Sequence, residues 1–147
     1  MEHRLAAQRV TLISLGVDDL ERSGAFYEAL GWKTAEELPE VRFYRLKGQM
    51  LGLIGRDALA RDQGRSGDEL GTGAMTLAQN HGSKAEVDAA FAAAVSAGAT
   101  VLKHPENVYW GGYSGYFADP DGHVWEIAHN PFWPLDSDGY LAEDDGQ

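Results

Sequence analysis

Two stretches of this chain carry the same order of apolar and polar positions. The first opens on VTLISLGV, 10–17, a run rich in β-branched residues and leucine that predicts a strand. In LERSGAFYEAL, 20–30, Leu20, Ser23, Gly24, Tyr27 and Leu30 fall near one stripe with Phe26 beside it, which predicts a helix. Asp18, with Glu21 three residues on, offers a capping box at its start. Gly31 offers the stop, because glycine enters the left-handed conformation without a Cβ penalty. WKTAEE, VRFYRL and MLGLI then predict three short strands, the last two joined by a tight turn at Lys47-Gly48.

The order returns from Gly73. GAMTLAQN predicts a strand, and Ser83 with Glu86 forms an S-x-x-E capping box. Val87, Ala90, Phe91, Ala94 and Val95 fall at i, i+3, i+4, i+7 and i+8, one face of a helix that Gly98 closes. ATVLK, SGYFAD and HVWEIA predict three more strands. The last two are joined by the Asp-Pro-Asp-Gly turn at 119–122, where proline fixes φ and glycine accepts a positive one. Between the copies, GRDALARDQGRSGDELG, 55–71, is polar and glycine-rich with no apolar face. It reads as a linker or loop, with at most a short helix over Ala58 to Arg61.

The repeated strand–helix–strand–strand–strand order predicts one α+β domain of two tandem βαβββ modules. Module one spans about 9–55, a linker 56–72, module two about 73–129 and a tail 130–147. Each module covers one sheet face with its helix and leaves the other to be buried or to line something. Side by side, the two form a curved, cup-shaped mixed sheet, and concave hollows are where small molecules bind.

Composition narrows the chemistry. A chain of 147 residues without cysteine has no disulfide framework, no thiolate nucleophile and no cysteine-based metal site. The formal net charge of −11, part of it in the tail DSDGYLAEDDGQ, argues against nucleic acid or an anionic membrane as partner. MEHRLAAQRV has no signal-peptide pattern and no run is long and apolar enough to span a bilayer, so the expected compartment is the cytoplasm.

Two features point to a site. Tyr109, Trp110, Tyr113 and Tyr116 crowd around Gly111, Gly112 and Gly115. Such rings suit a pocket for flat or amphipathic ligands, and equally a core or a dimer interface. Phe26 and Tyr27 read as helix packing, whereas NPFWPLDSDG, 130–139, places Phe132 and Trp133 to fold back over a surface or a partner subunit. The second feature is Glu126. It shares a strand face with Val124 and Ala128, while Trp125 and Ile127 take the other, the pattern of a strand covered on both sides. A charge there needs a partner. Either Glu126 sits at the mouth of the cup on a backbone N–H or an arginine, with Arg42 and Arg45 as candidates, or it faces a ligand as acceptor or base. His123 and His129, each three positions away, point to the opposite face of a regular strand.

LGVDDLERSGAFYEALGW (15–32), SKAEVDAAFAAAVSAGA (83–99) and GYFADPDGHVWEI (115–127), in this order, resemble the vicinal oxygen chelate superfamily. Its members include glyoxalase I, the bleomycin and fosfomycin resistance proteins and the extradiol dioxygenases. The resemblance implies paired βαβββ modules, a cup-shaped sheet and a homodimer. In metal-using members each module gives ligands from its first and last strands, the last being a glutamate in DPDGxxxE, here Glu126. The first ligand position falls on Leu12, the fourth strand of module one, MLGLI, has no glutamate, and the remaining position falls near Met75. One expected ligand in four survives, so no metal site is expected.

The reading that follows is a small-molecule binder of the glyoxalase/bleomycin-resistance type. Its pocket would be lined by Tyr109, Trp110, Tyr113 and Tyr116, its metal site degenerate, and no cofactor is expected. The alternatives are a metal-dependent lyase, isomerase or dioxygenase, drawing ligands from loops such as that holding His104, and a metal-free enzyme with Glu126 as catalytic general base.

Overall fold

A computed structural model describes residues 7–143 and contains the two βαβββ units in sequence. The first comprises β1 (Leu12–Val17), α1 (Leu20–Ala29), β2 (Thr34–Leu38), β3 (Val41–Leu46) and β4 (Gln49–Gly55). A helix α2 (Arg56–Gln63) leads to the second, with β5 (Thr76–Asn80), α3 (Lys84–Ala97), β6 (Thr100–Asn107), β7 (Tyr113–Ala118) and β8 (Val124–His129). The strands form two four-stranded sheets, ordered β1-β4-β3-β2 and β5-β8-β7-β6. In each, the first and last strands of the unit pair in parallel and the others antiparallel, as the crossover helix between first and second strands requires. The two mixed sheets give the curved, cup-shaped α+β fold.

The helix stops behave as the glycines imply, with Gly31 at φ 95° and Gly98 at φ 111°. The starts differ from expectation. The cap of α1 is Asp19, whose carboxylate accepts the Arg22 N–H at 3.1 Å. Asp18 instead donates its backbone N–H to Asp121 Oδ1 at 2.8 Å, and Glu21 holds Arg42. A contact across 103 residues outcompetes the local box at Asp18. At α3 the cap is Ser83 as expected, but Glu86 accepts from Gly82 N rather than from the cap residue.

One apolar cluster joins both units. It takes Leu15, Val17, Tyr44, Leu51 and Leu53 from the first sheet, Phe117, Trp125 and Ile127 from the second, and Phe26, Tyr27, Val87, Phe91 and Ala94 from α1 and α3. Within it, Tyr27 donates to Asp119 Oδ2 at 2.6 Å and accepts from Trp125 Nε1 at 3.0 Å. The DPDG turn is thereby tied to the helix of the other unit.

The 56–72 segment is more ordered than its polarity suggested. α2 buries Ala58 and Ala60, and Leu59 covers Gly16 so closely that a Cβ there would meet Leu59 Cδ2 at 3.2 Å. These small apolar residues are scattered among Arg and Asp, so the buried face is carried by alanines too small to give a periodic signal. The tail folds back as a strap over 130–143, while 144–147 lie outside the described residues.

Candidate functional site

Strand alternation decides which side chains meet. Leu51, Leu53, Trp125 and Ile127 point to the common core, so Leu12, Ser14 and Gly52 in the first sheet, and Ala78 and Glu126 in the second, occupy the other faces. Glu126 pairs across β7–β8 with Tyr116 and across β5–β8 with Ala78. It is half-buried, so its face is open at this point rather than covered on both sides. On its β5 side the small Ala78 leaves room above the sheet. Burial, and after it the facing Glu126 carboxylate, raises the Tyr116 phenol above the ordinary tyrosine value.

Of the four aromatics expected to line a pocket, three converge. Tyr109, Trp110 and Tyr116 bound a hollow of about 330 Å³ with Lys103, Glu106 and Ser114. Trp110 packs against Gly112, where any Cβ would collide with the indole, and Gly111 turns the chain at φ 97°. The glycines of WGGY therefore seat the tryptophan against the sheet. Tyr109 at the rim is fully exposed. Tyr113 does not belong with them. It packs toward α3, its hydroxyl donating to Asp88 Oδ1 at 2.6 Å with the Lys84 ammonium 5.6 Å from its ring centre. Three residues on a strand reverse the face, the rule that also separates His123 from Glu126. Lys103, Glu106 and Ser114 were not foreseen; Ser114, two residues before Tyr116 on the same strand, was legible by that rule.

The expected arginine partners of Glu126 lie elsewhere. Arg42 is buried on the helix side, bound to Glu21 at 2.6 Å, Glu37 at 3.2 Å and the Leu20 carbonyl at 3.0 Å. Arg45 is on β3 of the other sheet, paired with Met50 in the ladder. Among the described residues the histidines also stand apart from Glu126. His123 Nε2 meets the Gly16 carbonyl at 2.7 Å, His129 Nδ1 the His81 carbonyl at 3.0 Å, and the His104 ring lies 6.0 Å from Phe91 on the α3 side. Burial lowers the His81 pKa below its ordinary value, with Glu86 opposing.

The four counterpart ligand positions do not fit a metal. Ser14 and Ala78 each stand five positions before a helix cap, Asp19 and Ser83, and pair with Gly52 and Glu126. Gly52 is thus the counterpart of Glu126. A Cβ there would meet Phe43 Cε1 at 3.1 Å and Leu12 Cδ1 at 3.6 Å. The same offset makes Thr76, one residue beyond Met75, the counterpart of Leu12. Leucine, glycine, threonine and one glutamate are not a chelating set. Among the described residues no group of three or more His, Asp or Glu side chains could hold a metal ion.

The paired modules, with their open sheet faces turned away from their helices, define a two-module cup fold. A sequence profile of the Glyoxalase/Bleomycin resistance protein/Dioxygenase superfamily matches residues 9–127. The chain belongs to that superfamily. It is 39% identical to a glyoxalase-related enzyme from Fulvimarina pelagi, over 92% of this chain and 98% of that one, with a TM-score of 0.85. A lactoylglutathione lyase from Agrobacterium tumefaciens is 27% identical over 87% of this chain and 98% of its own, with a TM-score of 0.69. A glyoxalase/bleomycin resistance protein from Albidiferax ferrireducens T118 is 26% identical over 83% and 98%, with a TM-score of 0.63. No curated protein matches the chain. No helix among the described residues is long and apolar enough to cross a membrane.

Proposed function

We infer that the protein binds a small molecule on the open face of the second sheet, without a metal. The observation that carries this reading is the hollow bounded by Tyr109, Trp110 and Tyr116, the last of which pairs across the strands with Glu126. Its rings supply apolar area with a polar tip at little entropic cost, and Glu126 and Tyr116 supply an acceptor and a donor. The counterpart position on the first sheet is Gly52, packed by Leu12 and Phe43, so that face has no carboxylate where the second has Glu126. A glutamate among aromatics favours neutral or cationic ligands, as does the net charge of −11.

The second reading is a metal-free reaction with Glu126 as base. It is favoured by the cross-strand Tyr116–Glu126 pair, and the relative from Fulvimarina pelagi is described as an enzyme. A homodimer belongs to either reading, and sedimentation at micromolar concentration tests it.

A small-molecule panel screened by thermal shift, with and without chelator, tests the binder. A ligand at about 100 times its Kd adds about 2.7 kcal/mol, which raises Tm by roughly 5–10 °C in a domain of this size. The expected result is stabilisation unaffected by chelator and lost on Trp110→Ala. Stabilisation seen only with divalent metal defeats the reading. Turnover of a stabilising ligand, abolished by Glu126→Gln in chelator, establishes the second reading instead.

A further inference from the structure

We propose that a second ligand site lies beneath the C-terminal strap and takes an uncharged planar aromatic molecule. A cavity of about 500 Å³ opens between the end of the β3–β4 hairpin and β5, roofed by residues 133–141. Its size falls within the roughly 300–1,000 Å³ of small-molecule sites. It shares no lining residue with the hollow bounded by Tyr109, Trp110 and Tyr116, so the proposal stands independently of that reading.

The floor is rigid and aromatic. Trp32 and Trp125 stand edge to face, 5.8 Å apart at 88°, with Trp125 part of the core cluster and Trp32 packed against it. The roof carries Trp133, Tyr140 and Leu141, which are 56%, 41% and 57% exposed. Large apolar side chains placed at a hollow, yet left half in water, gain area from a ligand that fills it.

The roof is held in place without closing the hollow. Leu135 and Leu141 form an antiparallel bridge, supported by Asp136 N to the Tyr140 carbonyl at 2.7 Å and Ala142 N to the Pro134 carbonyl at 2.8 Å. The strap is anchored to the other module, where the Tyr140 hydroxyl accepts the Lys47 N–H at 3.0 Å and the Lys47 ammonium lies 3.6 Å from Asp136.

Two features choose the ligand. Tryptophan and tyrosine on opposite walls present π faces and edges, which suit a flat ring system better than a branched aliphatic one. The cavity also contains Asn80 and Gln49, whose amide is oriented by its bond to the Val10 carbonyl at 2.9 Å, so a ring bearing an N–H or a carbonyl finds a partner. Lys47 and Asp138 both line the cavity, 4.0 Å apart, so their charges offset each other and favour neither an anion nor a cation over a neutral ring.

The test is a titration of the full chain with N-phenyl-1-naphthylamine, a neutral aromatic amine that brightens in apolar surroundings. One saturable site with micromolar affinity is expected. Trp133→Ala should weaken it about tenfold or more, the loss of one stacked ring wall. Leu141→Glu, at a second exposed roof position, should weaken it likewise, which keeps the test decisive if one variant misfolds. Trp110→Ala should leave it unchanged. Absence of binding, binding indifferent to both roof variants, or binding lost with Trp110→Ala would each overturn the proposal, the last by placing the probe in the open-face hollow.

Discussion

Replacing Tyr27 by phenylalanine should destabilise the protein by about 2–4 kcal/mol at neutral pH, and the difference should shrink as pH rises past 10. The side chain is fully buried in the cluster shared by the two modules. Its hydroxyl satisfies two groups at once, Asp119 Oδ2 at 2.6 Å and the Trp125 indole N–H at 3.0 Å. Phenylalanine keeps the ring but leaves both unpartnered in a site closed to water. A hydrogen bond to a charged group contributes about 1.5–3 kcal/mol, and an orphaned buried N–H costs about 1–3 kcal/mol. Asp119 retains the N–H groups of Asp121 and His123 on its other oxygen, each at 2.9 Å, which holds the sum toward the lower end.

The pH dependence follows from linkage. Burial, with the Asp119 carboxylate adding to it, raises the Tyr27 phenol far above its ordinary value of 10.0. A raised pKa contributes stability that is complete below the unfolded value and is lost as pH rises above it. There the unfolded chain releases the proton while the folded one keeps it. From pH 9 to pH 11 this term takes about 1.4 kcal/mol from the wild type and nothing from the variant. Urea unfolding monitored by far-ultraviolet circular dichroism at pH 7, 9 and 11 measures both quantities. A gap below about 1 kcal/mol at pH 7, or one that stays constant from pH 9 to 11, would refute the buried network as the link between the modules.

Two further outcomes are expected. Gly115→Ala should destabilise by about 1–3 kcal/mol, because a Cβ there meets the Pro105 nitrogen at 2.7 Å and the Lys103 carbonyl at 2.9 Å, backbone atoms that cannot swing aside. Its urea midpoint should fall, and a midpoint within error of the wild type would show that the β6–β7 ladder, whose register shifts between Lys103 and Glu106, absorbs the methyl group. Protein incubated with nickel, zinc, iron or manganese and then exchanged into buffer should retain only substoichiometric metal by elemental analysis. Near-stoichiometric metal that Glu126→Gln removes would show that the chain completes a site around that carboxylate.

Taken alone, the sequence determined the local grammar. Capped helices stopped by Gly31 and Gly98, strands of alternating or continuous apolar residues, and the DPDG turn are written in neighbouring positions, so element order and the two-module plan were legible. The family followed from the same stretches. The faces were partly legible too: period-two alternation applied to Tyr113 and Tyr116 would have separated them, as it separated His123 from Glu126. Tertiary structure decided everything that depends on which distant residue arrives first. Asp18 gave its amide to Asp121 and left the cap to Asp19, and Arg42 turned to Glu21 and Glu37 rather than to Glu126. Trp133 and Tyr140 came to rest over Trp32 and Trp125 because Lys47 of the other module anchors the strap. These partners are set by how two sheets and two helices pack around one core. That packing is chosen by buried area and hydrogen-bond satisfaction summed over the whole chain, and no window of neighbouring residues contains that sum.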